Sequence, residues 1–134
     1  MEIFETAVLW LSGLVLVYAS SIRLLNPHRA KFLQTLLVYP GSRLQEHIDL
    51  VNEIRAVGTV LLLGGILILL GINLPGFRQA SFVVANLLFA GIVLGRLISF
   101  GVDGKPSPMV IKLTILELTL AVLNLICCVR VLLH

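Results

Sequence analysis

The residues of this sequence with chemistry to explain are the charged side chains set inside apolar segments. Glu117 stands nine positions after Pro108 in a long apolar run, about 13 Å along a helix rising 1.5 Å per residue. That is close to the midplane of a hydrocarbon layer about 30 Å thick. Arg96, five positions before Gly101, lies about 8 Å deep, and Arg55, six past Asp49, about 9 Å deep. A lone charge near the midplane costs roughly 2.5–3.5 kcal/mol on insertion scales. Glu117 is therefore expected to pair with Arg96 or Arg55, or to be protonated. Such a pair either fixes helix register or serves a ligand or proton site, and both uses stay open at this point.

Around it lie shorter-range candidates. Asn52 and Glu53 stand with Arg55 at the mouth of a second apolar run. Asp103-Gly104 is a turn signal. Lys105 and Ser107, with the free N–H groups at the start of the next helix, have the chemistry to hold a phosphate or carboxylate, and Lys105 and Lys112 suit anionic headgroups. The candidate ligand-binding set is Asn52, Glu53, Arg55, Arg96, Ser99, Asp103, Lys105, Ser107 and Glu117. No catalytic residue and no metal ligand set is expected. His28, His47 and His134 are scattered, and no nucleophile–base order, nucleotide loop or haem motif is present. A non-enzymatic protein without a cofactor follows as the expectation.

The elements that must position these residues are legible from composition. The 134 residues are 58% hydrophobic and only 13% charged, whereas a soluble domain carries about a quarter charged residues. A chain this short cannot bury so much apolar surface, so an integral membrane protein is expected, as one domain over residues 1–134. The net charge of +3 comes without a basic run. Nucleic acid is not expected as a partner, and the basic residues are better understood as topology determinants. The start Met-Glu-Ile-Phe-Glu-Thr lacks the positive region of a cleavable leader.

Four apolar stretches, about 3–25, 52–73, 79–101 and 108–133, each approach the ~20 residues a spanning helix needs. The expected fold class is all-α, a bundle of four transmembrane helices, since backbone in lipid must bond internally. Asn26-Pro27 is a helix start. The following segment, about 27–39, places Phe32, Leu33, Leu36 and Leu37 on one side and polar residues on the other, which reads as a short amphipathic interfacial helix between helices 1 and 2. Pro40-Gly41 ends it, and Ser42-Arg-Leu-Gln45 fits a capping box. Leu74-Pro75-Gly76 is a tight turn, and Ser107-Pro108 caps the last helix.

Small residues recur at packing spacings: Gly91, Gly95 and Ser99; Val57, Gly64 and Gly71; Gly58 and Gly65; Gly13 and Ser20. Such rows serve close helix approach inside the bundle or a face between copies. Glu117 shares a helical stripe with Thr114, Ala121, Asn124 and Cys128, which is expected to face inward. The adjacent Cys127 and Cys128 read as small packing residues, with lipidation or redox chemistry as alternatives.

Asn52-Glu53-x-Arg55, Gly95-Arg96 and Asp103-Gly104-x-Pro106-Ser107, in this order, resemble the signature of a family of small bacterial four-helix integral membrane proteins catalogued as a domain of unknown function. The resemblance spans nearly the whole chain. It implies the fold and no activity. The layout is also similar to that of small eukaryotic sterol-pathway scaffold proteins of the endoplasmic reticulum, a likeness at the level of fold alone.

The expected function is binding of a lipid or amphiphile headgroup, or of a membrane partner, at a cytoplasm-side polar cluster. A small ion- or proton-coupled transporter acting as an oligomer is one alternative, and an accessory subunit of a larger membrane complex is another. Expected partners are membrane lipids, with a homo-oligomer or larger complex possible in principle. Eight Lys and Arg fall on one side of the layer and only Arg78 and Arg130 on the other. The positive-inside rule then places both termini outside the cytoplasm, in a bacterial inner membrane.

Overall fold

The structure, a computed structural model, describes residues 2–25 and 44–133, with side chains described from residue 51 onward in the second helix. Four long helices make up the described chain: α1 (Glu2–Leu25), α2 (Leu44–Asn73), α3 (Arg78–Val102) and α4 (Pro108–Leu133). A one-turn 3-10 helix, Pro75–Phe77, joins α2 to α3. All four are long and apolar enough to cross a membrane, in α2 over Val51–Asn73. The protein is an all-α integral membrane bundle. The amphipathic helix expected over 27–39 and the capping box at Ser42 to Gln45 lie outside the residues whose placement or side chains are described.

Why these runs fold as helices follows from lipid as solvent. Their backbone groups have no water to bond, so each run satisfies them internally. The turns are as short as their residues dictate. Pro75 has no N–H to lose at a helix start, and Phe77 N–H donates to the Leu74 carbonyl at 2.9 Å. Between α3 and α4, Asp103 N–H donates to Ser99 O at 2.7 Å. Gly104 then takes φ = +103°, a backbone conformation that favours glycine. Pro108 opens α4, with Ile111 N–H donating to Ser107 O at 3.2 Å.

The bundle is apolar outside, and inside it sets a few polar side chains within an apolar core that includes Leu9, Ile68, Phe82 and Phe89. Ser12, Ser20, Ser81, Thr114, Glu117 and Asn124 are buried, while Tyr18, Leu87, Leu94 and Ile98 stand outward. Without a hydrophobic drive between helices in lipid, close packing and interhelical hydrogen bonds must hold the bundle. The packing is extensive between α1 and α2, between α2 and α3, and between α3 and α4, while α1 and α4 meet along a narrower seam. Glycines make the first contact close. A Cβ on Gly13 would lie 3.2 Å from Gly65 O, and one on Gly65 would lie 3.2 Å from Gly13 O. At Gly71 a Cβ would strike the Ser81 side chain, whose hydroxyl donates to Leu67 O at 3.0 Å.

The row Gly91, Gly95 and Ser99 behaves differently. All three are exposed, and a Cβ at Gly91 or Gly95 would meet nothing within 4 Å. Of the two uses expected for such rows, packing inside the bundle does not apply here. The periodicity marks a small face; it does not say which way that face turns.

Candidate functional site

The polar groups of the bundle gather at three levels. At the first, near the α3–α4 turn, Arg96 of α3 donates from Nη2 to Glu117 Oε1 of α4 at 2.8 Å. Both side chains are mostly buried, with 19% and 12% exposed, so the charges are held in a low-dielectric setting where pairing is needed. The pair is incomplete. Glu117 Oε2 is buried and has no hydrogen-bond partner.

A third charge joins them. Arg23, in the last turn of α1, lies close enough to both Arg96 and Glu117 for their charges to interact. It donates from Nη1 to Ala19 O at 3.1 Å, which uses one of its five N–H groups. Glu117 is bonded to Arg96 alone of the two, and Arg23 adds a second positive charge at longer range. Beside Arg23, a partly open cleft of ≈ 170 Å³ separates α1 from α2, lined by Arg23, Glu53, Ile54 and Val57. Its accessible lining is almost entirely apolar.

The second level is at mid-bundle. Asn124 of α4 donates to Ser12 Oγ of α1 at 2.7 Å and to Leu120 O at 2.8 Å, entirely buried. Its Oδ1 has no partner. From this bond Ser20 is eight residues along α1 and Glu117 seven back along α4, about 12 and 10.5 Å, so Ser20 and Glu117 sit at nearly one depth. The Ser20 hydroxyl is turned to its own helix, donating to Leu16 O at 2.6 Å.

The third level lies at the opposite end. Arg78, opening α3, donates from Nη2 to Thr6 Oγ1 at 2.7 Å and to Glu2 O at 3.3 Å. Its Nε is 3.8 Å from Glu5 Oε2. Cys127 is buried nearby as a free thiol, and so is Cys128.

The sequence candidates distribute as follows. Arg96 and Glu117 meet. Ser99 and Asp103 meet each other, Ser99 Oγ donating to Asp103 Oδ2 at 2.7 Å, so this carboxylate braces the turn. Glu53 is exposed and borders the cleft. Lys105 and Ser107 are exposed in the turn, and Asn52 is exposed at the start of the α2 span. Arg55 is exposed as well and makes no ion pair with Glu117; of the two arginines offered to that carboxylate, the bundle uses Arg96. Glu53 and Arg55 are two residues apart, about 200° around a helix of 3.6 residues per turn, so with Glu53 on the cleft Arg55 points elsewhere. Sequence reasoning missed Arg23, which resembled an ordinary flanking cation. The available signal was its spacing from Ser20 and Leu16, which puts it on the inward stripe of α1.

No group of three or more His, Cys, Asp or Glu that could hold a metal occurs among the described residues. No curated protein and no solved structure matches the chain. A family model does match, over residues 4–128, and takes in most of each of the four helices, with Arg96, Glu117, Asn124 and Arg78 inside it. The chain belongs to this family, described as a domain of unknown function (DUF4345).

Proposed function

We propose that the protein is a non-enzymatic membrane protein that binds the phosphate-bearing headgroup of a membrane lipid at its Arg96 end. The observation that carries this reading is that Arg23 and Arg96 stand at the same end of the bundle around one buried carboxylate, Glu117, with a single Arg23 hydrogen bond, to Ala19 O, among the described residues. Arginine offers a planar fork of donors that fits phosphate. Arg23 is two residues from the end of α1, and Glu53 is two residues into the α2 span, the depth at which headgroups reside. Arg55, Lys105 and Lys112 are exposed at the same end and add attraction for anionic groups. The same basic excess, by the positive-inside rule, supports a reading with this end in the cytoplasm and both termini outside, and a bacterial inner membrane is the proposed location.

The test is lipid retention. Protein extracted from native membranes and weighed intact with its bound lipids is expected to carry phospholipid, and Arg23→Gln to lose most of it. Equal retention by wild type and R23Q would overturn the reading. A second reading, an oligomeric proton-coupled transporter, draws on the unpartnered Glu117 Oε2. A pH-driven flux in proteoliposomes that Glu117→Gln abolishes would favour it. The outward Gly91–Gly95 face is compatible with assembly in either case.

A further inference from the structure

We propose that the bundle opens along the seam between α1 and α4, with the Asn124–Ser12 hydrogen bond as its latch. The four contacts between neighbouring helices are not alike. α1 and α2 approach closely at Gly13 and Gly65. α2 and α3 are close at Gly71 and bonded from Ser81 Oγ to Leu67 O at 3.0 Å. α3 and α4 pack broadly and share the Arg96–Glu117 ion pair. The α1–α4 contact is the narrowest of the four. Close packing and interhelical hydrogen bonds hold helices together in lipid, so the joint with least packing depends most on its hydrogen bond. That bond runs from Asn124 Nδ2 to Ser12 Oγ at 2.7 Å, between two fully buried side chains.

The closed seam also leaves polar atoms unsatisfied. Three buried side-chain atoms among the described residues have no hydrogen-bond partner, and two of them, Glu117 Oε2 and Asn124 Oδ1, belong to α4. Glu117 and Asn124 are seven residues apart, two turns along one face of the helix. Each orphan atom is an acceptor sealed from water, and a buried acceptor without a donor opposes the state that buries it. Opening gives both access to a donor, water included. The Arg96–Glu117 pair joins α3 to α4, so it stays intact when α4 parts from α1. On the headgroup reading above, an opened seam lets a lipid approach Glu117 from the side of α1; the seam itself does not depend on that reading.

The experiment uses the native thiols. Cys127 and Cys128 are free and buried, one turn beyond Asn124. Full-length protein in reduced native membranes is treated with N-ethylmaleimide, and the labelling rate at each cysteine is read by mass spectrometry. Wild type is expected to label slowly, at a rate set by opening. Ser12→Ala removes the latch with little change in volume and is expected to raise the rate about three- to tenfold, the equivalent of one interhelical hydrogen bond in a membrane. Ser81→Ala removes a hydrogen bond between α3 and α2 instead, and is expected to stay within about twofold of wild type because opening is local. Asn124→Ala breaks the latch from the other side and is expected to act as S12A does. Unchanged labelling in both latch variants would overturn the proposal. So would equal acceleration by S81A, which would mean that the thiols are reached by unfolding of the whole bundle. No lipid is read in this assay, so its failure leaves the headgroup reading standing, and equal lipid retention by wild type and R23Q leaves the seam standing.

Discussion

The two ends of the bundle each set an arginine beside a glutamate, and they use the pair in opposite ways. At the Arg78 end the arginine is spread over three groups of α1, the Glu2 carbonyl, the Thr6 hydroxyl and, at longer range, the Glu5 carboxylate. It works as a clasp between the start of α1 and the start of α3. At the Arg96 end one carboxylate is contacted directly by a single arginine and lies within reach of another. It keeps an oxygen unpartnered and adjoins a cleft. Each end keeps a buried polar atom without a hydrogen-bond partner, Arg78 Nε at the first and Glu117 Oε2 at the second. Charge number alone does not mark a binding site. What separates the two ends is how the contact is made: Arg78 reaches two groups of α1 through Nη2, whereas Arg96 meets Glu117 in one short ion pair of 2.8 Å.

This contrast can be broken by substitution. The largest effect is expected for Glu117→Ala, which leaves Arg96 buried without its partner. The loss of stability should be about 3–5 kcal/mol, and replacing both members, Arg96→Met with Glu117→Leu, should restore most of it. Unfolding of the purified protein in mixed micelles measures both; a single variant as stable as wild type would mean the Arg96 pair is not a buried one. Asn124→Ala removes the mid-bundle bond to Ser12 and should cost about 1–2 kcal/mol in the same assay, in the range of interhelical hydrogen bonds in membranes. Arg78→Gln should cost least, about 0.6 kcal/mol, because its contact with Glu5 is long at 3.8 Å and glutamine keeps a donor for the Thr6 hydroxyl. A cost for R78Q equal to that of E117A would erase the distinction between the ends.

Much of this arrangement was legible in the sequence. The four spans follow from runs that only lipid tolerates, and Asp103-Gly104 names its turn because the following residue must take positive φ. Depth counting brought Arg96 to Glu117, since a helix converts residue number directly into height. It could not separate Arg96 from Arg55, because height says nothing about azimuth. The same gap hid Arg23. A basic residue at the end of a helix is usually an anchor, and only the packing of α1 against its neighbours turns this one toward the carboxylate. Gly91 and Gly95 show the limit from the other side, for their spacing matches that of buried rows and their face is open.

One further consequence concerns the order in which the chain is made. The Asn124–Ser12 bond joins residues 112 positions apart, and Glu117 lies on the last helix while Arg23 and Arg96 lie on earlier ones. In chain order both arginines precede that carboxylate, so the burial of Arg96 is balanced only when the last helix is in place. That helix completes the bundle in two respects at once, closing the seam with α1 and supplying the counter-charge.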